Sequence, residues 1–277
     1  MNVEKIGGVI GAEVKGVSLR DLNDETLGQV EAALWENGVL FFRGQDLDDR
    51  EQITLASRFG KPSIYPISKL HGATEPTCST IVDDADSPPS TDGWHTDVTW
   101  IERPPMIAIL AGLEIPAHGG DTMWASSADV YSSLSPRMQT LLAGLEAEHT
   151  CWPDFCETAE RKSGVDGLGE MIRDAYPAVM HPLVRTHPVT GRRAYYDGSS
   201  TMRGVDGLTD AEWEPIRTML RGMFDEPKRQ VRWSWTPGDV AIWDERLVVH
   251  RGVSDHHPLR RVVRRITVDG ERPVFQA

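Results

Sequence analysis

The second half of this chain sets short apolar runs between turn signals at intervals of about 8 to 12 residues, a rhythm that only β architecture accommodates. Residues 106–113 are apolar, Gly119-Gly120-Asp121-Thr122 is a turn, and Met123 and Trp124 resume the strand pattern. Further on, Val231, Trp233 and Trp235 alternate strictly, Pro237-Gly238 turns the chain, and the strand-like runs 240–243, 247–250 and 260–268 follow. Runs this short, broken by Gly and Pro, predict a mainly β fold with α decoration, a sandwich or a jelly roll.

Helical signals lie mostly outside that region. In residues 24–37, Leu27, Val30 and Leu34 share one helical face and Gly38 is a stop. The run 39–42 fits a buried strand. Asp48 with Glu51 forms a capping-box pattern for a helix that Gly60 ends, and Thr209 with Glu212 forms another ahead of Trp213, Ile216, Leu220 and Met223. Pro136 starts a short helix over 136–145. These helices are expected to pack on one face of the β layer. Segment 61–93, rich in Pro, Ser, Thr and Asp, reads as a long loop of the kind that covers a site. Segment 157–176 has no clean period and reads as a mobile insertion.

A length of 277 residues suffices for one domain spanning 1–277. A net charge of −13 and a pI near 5.1 argue against nucleic acid or an anionic membrane as partner, because both require a basic patch. A small anionic substrate would have to be recruited by a few placed arginines. No apolar run approaches the ~20 residues of a membrane span, and the first eight residues lack a signal-peptide core. Cys78, Cys151 and Cys156 form no CxxC pair and read as free thiols, so the chain is expected to be cytoplasmic.

Trp94-His95-Thr96-Asp97 is the sharpest local feature. On an extended chain His95 and Asp97 point the same way and can bind one ion, and a distant histidine would complete two imidazoles and a carboxylate on one octahedral face. His250, closing an apolar run, is the best placed; His71, His118, His149, His181, His187, His256 and His257 lack a partner at ligand spacing and read as structural. His256-His257 before Pro258 reads as a solvated loop. In residues 260–268, Arg261, Val263, Arg265 and Thr267 share one face. That face either meets solvent or lines a barrel mouth, where Arg261 and Arg265 would stand ~13 Å apart. Trp94, Trp124 and Trp243 flank the same motifs; core packing is the main role expected of them, with shielding of a reactive centre second.

Taken together, the WHTD motif, the GGDT turn, the PGDVAIWD stretch, His250 and the Arg260-Arg261 pair resemble the taurine dioxygenase family, in the same order and with similar spacings. The resemblance implies a double-stranded β-helix (jelly-roll) enzyme that uses Fe(II), 2-oxoglutarate and O2. It implies that His95, Asp97 and His250 hold iron, that Thr122 and Arg261 bind 2-oxoglutarate, and that Arg265 and Tyr65 meet the anionic head of a small-molecule substrate. In the family a His and a Tyr ahead of the WHTD motif contact the sulfonate; Tyr65 and Ser68 stand at those positions here, so one contact is lost. Hydroxylation of taurine, another sulfonate or an alkyl sulfate, with release of succinate and CO2, is the activity implied, and an aryloxyalkanoate is the alternative substrate. The family also suggests a homo-oligomer. Two remoter readings are a zinc hydrolase, which would need no arginine clamp, and a binding-only jelly roll, which would be expected to lack a ligand. No GxSxG elbow or GxxxxGK[ST] loop is present.

Overall fold

The computed structural model describes residues 1–276. In chain order its elements are β1 (Asn2–Lys5), β2 (Ala12–Lys15), α1 (Asp24–Asn37), β3 (Val39–Phe42), α2 (Asp49–Phe59), α3 (Pro66–Leu70), β4 (Ser79–Asp83), β5 (Ile107–Glu114), β6 (Thr122–Ser126), α4 (Ser127–Ser132), α5 (Pro136–Leu142) and β7 (Glu146–His149). They continue with α6 (Asp154–Ser163), α7 (Leu168–Ala175), β8 (Val179–Pro182), β9 (Val184–Thr186), β10 (Arg193–Tyr195), β11 (Met202–Val205), α8 (Asp210–Phe224), β12 (Gln230–Trp233), β13 (Val240–Asp244), β14 (Val248–Gly252) and β15 (Arg261–Val268).

The central strands β3, β5 and β13 are apolar on both sides, so each must be covered twice. They lie in a seven-stranded sheet of order β1-β2-β3-β13-β5-β15-β4, in which every pairing is antiparallel except β2 with β3. One face buries Leu40, Phe42, Ile109 and Ile242 against α1 and α2. The other buries Phe41, Leu110, Trp243 and Val263 against Trp124, Trp233 and Val248 of a smaller sheet, β12-β6-β14. Two sheets face to face around this core make the jelly roll. The outer face of the small sheet, through Ala125 and Val249, packs on Val130 and Tyr131 of α4 and on Trp213, Leu220 and Phe224 of α8.

The capping boxes form as expected. Glu51 N–H donates to Asp48 Oδ1 at 2.7 Å while Asp48 N–H donates to Glu51 Oε2 at 2.8 Å, and the Thr209–Glu212 box opens α8. Gly38 ends α1 at φ 72°, a conformation that favours glycine. Three expectations are corrected. Helices cover both outer faces of the sandwich rather than one. Segment 61–93 is not a plain loop: it holds α3 and the edge strand β4, which pairs with β15. Segment 157–176 belongs to a helical hairpin, α6 and α7, that buries Cys156, Leu168 and Ile172 with Trp100.

β13 ends in a buried charged cluster. Asp244 accepts from Arg246 Nε (2.8 Å) and Nη2 (2.7 Å), and His187 Nε2 lies 2.9 Å from its Oδ2. The His187 and Asp244 side chains are 0% exposed and Arg246 is 4% exposed. Glu271, in turn, accepts from Arg185 at 3.0 Å and lies 3.6 Å from Arg246, which ties the C-terminal segment to the core. Asp244→Ala leaves a buried guanidinium without its counter-ion, at a cost of about 3–5 kcal/mol. We expect the thermal midpoint to fall by roughly 10 °C; a fall of under about 3 °C by calorimetry would refute the assignment.

Candidate active site

The two histidines meet through the backbone. His95 N–H donates to the His250 carbonyl at 3.0 Å and His250 N–H donates to the His95 carbonyl at 2.9 Å, an isolated antiparallel bridge. Residues paired in this way project side chains to one face, and the two imidazole centroids are 4.2 Å apart. Asp97, two residues on from His95, brings Oδ1 to 3.8 Å from His95 Nε2 and 4.0 Å from His250 Nε2. One donor atom from each of the three lies within 4.8 Å of the others, the one such group among the described residues. His95 Nδ1 is 2.8 Å from the Gly93 carbonyl. That contact favours the tautomer with Nδ1 protonated, which leaves the Nε2 lone pair free for a metal. Burial and the neighbouring His95 hold the His250 imidazole well below its usual range, so it is neutral. Burial alone would raise the Asp97 carboxyl, but Arg265 and the two histidines lower it to about 2, so it is ionised. Two imidazoles and one carboxylate, gathered on one side of the pocket, fit a divalent ion such as Fe(II).

The arginine face of β15 turns inward, so it lines the site rather than solvent. Arg265 Nη1 donates to Asp97 Oδ2 at 2.6 Å. Arg261 donates from Nε to the Gly120 carbonyl at 2.8 Å and from Nη2 to Thr122 Oγ1 at 3.3 Å. Thr122 Oγ1 also accepts from Trp235 Nε1 at 3.0 Å. With two donors already on its oxygen, the Thr122 hydroxyl hydrogen is free to donate to a further acceptor, such as a carboxylate. Gly120, at φ +73°, has to be glycine, since a Cβ there would stand 2.9 Å from Arg261 Cδ. Tyr65 lies within the fields of Arg265 and Asp97, and burial pushes its phenol up to about 12, so it remains a donor. Tyr65, Val98, Trp100, Tyr176 and Met180 line a cavity of about 760 Å³ beside the triad.

A family model described as the taurine catabolism dioxygenase TauD, TfdA family matches residues 2–267. The chain belongs to this family. It is 36% identical to an alpha-ketoglutarate-dependent sulfate ester dioxygenase of Pseudomonas putida, over 99% of this chain and 91% of the relative. It is 34% identical to an alkylsulfatase of Acinetobacter baylyi, over 98% and 86%. A crystal structure of a taurine dioxygenase from Burkholderia xenovorans superposes with a TM-score of 0.82 at 31% identity, covering 99% of this chain and 92% of that one. The protein is therefore an Fe(II)/2-oxoglutarate-dependent dioxygenase of the TauD, TfdA family, with Fe(II), 2-oxoglutarate and O2 as its cofactors and co-substrates.

Around the triad stand residues that the sequence did not single out. Glu245, 1% exposed, accepts from Asp97 N–H at 3.2 Å and from Trp243 Nε1 at 2.7 Å. Burial and Asp97 raise its carboxyl well above the usual range. Its only sequence signal is a charged triplet, Asp244-Glu245-Arg246, set between two apolar runs. His256, expected in a solvated loop, is 3% exposed, packed beside Gly120 and 3.7 Å from Asp83, because the turn before β15 folds inward under Arg261. Trp124 and Trp243 are core residues, in edge contact at 5.6 Å, although Trp243 also stands 4.8 Å from His250. Trp94 is also buried and is anchored by its indole N–H, which donates to Asp225 at 2.9 Å.

Behind the loop that carries Asp97, His149 Nδ1 lies 3.0 Å from Thr99 Oγ1, and His181 Nε2 lies 3.0 Å from the Ile101 carbonyl. The two rings are 5.2 Å apart, against Tyr196. Burial lowers His149 to about 3 and His181 to about 4, so both are neutral in the fold. Both folded values are depressed below the unfolded value of about 6.5. Below that pH the unfolded chain takes up protons that the folded one refuses, so stability is lost as pH falls from about 6.5 towards 4 and then 3. We expect the urea midpoint to drop between pH 7 and 5, and the drop to shrink in a His149→Gln/His181→Gln double variant. An unchanged slope in that variant would refute the assignment.

Proposed function

We propose that residues 1–277 act as one dioxygenase domain that hydroxylates the carbon bearing the sulfate of a small alkyl sulfate ester. The hydroxylated ester then collapses to an aldehyde and inorganic sulfate, while 2-oxoglutarate and O2 become succinate and CO2. The observation that carries this reading is the pair of inward arginines on one strand, Arg261 bonded towards Thr122 and Arg265 bonded to Asp97 of a His-Asp-His group. A hydrolytic zinc site would have no use for the first of them.

In this reading His95 Nε2, His250 Nε2 and Asp97 Oδ1 hold iron, which with bound 2-oxoglutarate supplies the oxidising chemistry. The Arg261 guanidinium and the Thr122 hydroxyl receive the distal carboxylate of 2-oxoglutarate, since a planar fork fixes orientation as well as charge. Arg265 and Tyr65 receive the sulfate. Because Arg265 is already bonded to a ligand of the metal, an anion on that guanidinium keeps its neighbouring carbon close to the reacting centre. The cavity beside Tyr65 and Val98, with more apolar and aromatic than polar side chains in its wall, gives the rest of the ester room. Sulfate esters are favoured over sulfonates because the relatives at 36% and 34% identity are a sulfate ester dioxygenase and an alkylsulfatase. Three free cysteines support a cytoplasmic setting, and the family resemblance supports a homo-oligomer.

Anaerobic addition of Fe(II) and 2-oxoglutarate should give a visible charge-transfer band, and alkyl sulfates should then drive oxygen uptake with sulfate release in step with succinate. Asp97→Ala should abolish iron binding. Losing a charge-assisted clamp of about 2–3 kcal/mol, Arg261→Ala should raise the KM for 2-oxoglutarate by roughly 30- to 150-fold with a smaller effect on the ester. Arg265→Ala should reverse that pattern. A neutral Arg261→Ala would sink the clamp assignment, and turnover without oxygen would sink the dioxygenase reading of the site.

A further inference from the structure

Arg261 is a cation in an enclosed place: its side chain is 8% exposed, and burial lowers its affinity for a proton. A guanidinium taken out of water needs a counter-ion. Strand β4 provides one, because Asp83 is the cross-strand partner of Arg261 and brings Oδ2 to 3.4 Å from Nη1. Asp83 is itself largely enclosed, at 13% side-chain exposure. Beyond Arg261, the cation-capable neighbour of its carboxylate is His256, whose Nε2 is 3.7 Å away, buried and without a hydrogen-bond partner.

The contacts divide two jobs between different groups. The Arg261 orientation comes from the Gly120 carbonyl at 2.8 Å, from Thr122 and from the close packing against Gly120. The Asp83 contact is longer than the ~2.7–2.9 Å of a strong charge-assisted bond. Asp83 therefore supplies charge more than alignment. Any carboxylate that binds the Arg261 fork must share it with Asp83, at a separation where two negative charges in a partly desolvated setting repel appreciably.

We infer that Asp83 competes with the distal carboxylate of the co-substrate for Arg261 and so lowers affinity for 2-oxoglutarate and for succinate alike. This rests on Arg261 being the 2-oxoglutarate clamp. The contact neutralises Arg261 when no ligand is bound, and it eases succinate away after turnover, since succinate lacks the keto group and is held at its far end by the same guanidinium. Asp83 is a positioning residue in this account: it acts on the ligand only through Arg261 and through the field at that site.

The test compares the parent enzyme, Asp83→Asn and Arg261→Gln as full chains loaded with Fe(II) without oxygen. Dissociation constants for 2-oxoglutarate come from the charge-transfer band, and those for succinate from competition against it. Asp83→Asn keeps shape and removes charge, so both constants should fall together, by about tenfold, while the KM for the sulfate ester stays within twofold. Thermal midpoints of the three proteins report folding separately. Arg261→Gln should weaken both ligands strongly. Unchanged or weaker binding in Asp83→Asn, with Arg261→Gln weakened, would overturn the inference and leave the clamp standing. Unchanged 2-oxoglutarate binding in Arg261→Gln would overturn the clamp and the inference with it. A shift in 2-oxoglutarate alone, with succinate unmoved, would also overturn it, because the distal carboxylate is common to both.

Discussion

The site depends on one backbone pairing, the two reciprocal hydrogen bonds between His95 and His250. A pair of such bonds contributes only about 1–3 kcal/mol net, too little to bring together residues 155 positions apart. Packing does the rest. Val249, the neighbour of His250, and Trp94, the neighbour of His95, sit in one apolar cluster with Phe224 and Leu220 of α8. Arg221 of the same helix donates to the Trp94 carbonyl at 3.2 Å, and Asp225 just beyond it accepts from the Trp94 indole. The helix thus clamps the outer side of a strand pair whose inner side carries the imidazoles. Two histidines that would repel if protonated are held 4.2 Å apart by forces that act on their neighbours.

The same economy governs charge. Asp97 and Glu245 are buried side by side, yet their environments push them in opposite directions: Arg265 and two histidines overcome burial at Asp97, while burial and Asp97 itself keep Glu245 high. Arg265 bonds directly to Asp97 and holds it low, whereas at Glu245 burial and the Asp97 charge outweigh the pull of the same guanidinium. The arginines are placed by strand parity. Val263 is in the inner core, so Arg265 two residues on points inward, while Arg264 turns to the other face and anchors α2 through Gln52 at 2.7 Å. A bulge opposite Val262 and Val263 shifts the register between Arg261 and Arg265.

The β-rich second half was legible because its strands are buried on both faces or alternate cleanly, as β13 and β12 do. β4 was not, because an edge strand reading Ser-Thr-Ile-Val-Asp has no continuous apolar face to betray it and lies in a segment of turn-forming residues. The α6–α7 hairpin was missed for a related reason: its buried contribution is a few side chains, Cys156, Leu168 and Ile172, too sparse to make a helical period visible. In the site, His95 and Asp97 are local and could be read together, His250 was placed by the apolar run it closes, and strand parity put Arg261 and Arg265 on one face, with their roles implied by the family resemblance. Glu245, Asp83 and His256 matter through contacts across the fold, and a charged residue at the end of a strand looks like a turn until the chain beyond it folds back.

Val98 completes the physical picture of the ligand loop. It follows Asp97 with φ 54°, a left-handed conformation that a β-branched residue rarely adopts and that costs on the order of 1–3 kcal/mol. Such a conformation persists only where its surroundings over-determine it. Here the chain is held on both sides: Asp97 N–H is fixed to Glu245, Thr99 lies between His149 and the Thr201 hydroxyl at 2.7 Å, and the Ile101 carbonyl faces His181. Trp100 packs between Phe155 and Tyr176 of the helical hairpin. These contacts come from the residue after β13, from β7 and β8, from the turn at Thr201 and from the hairpin, so five parts of the fold converge on five residues. The strain at Val98 is the local cost of turning the chain sharply enough to aim Asp97 at the two histidines while presenting the next side chain to the neighbouring cavity.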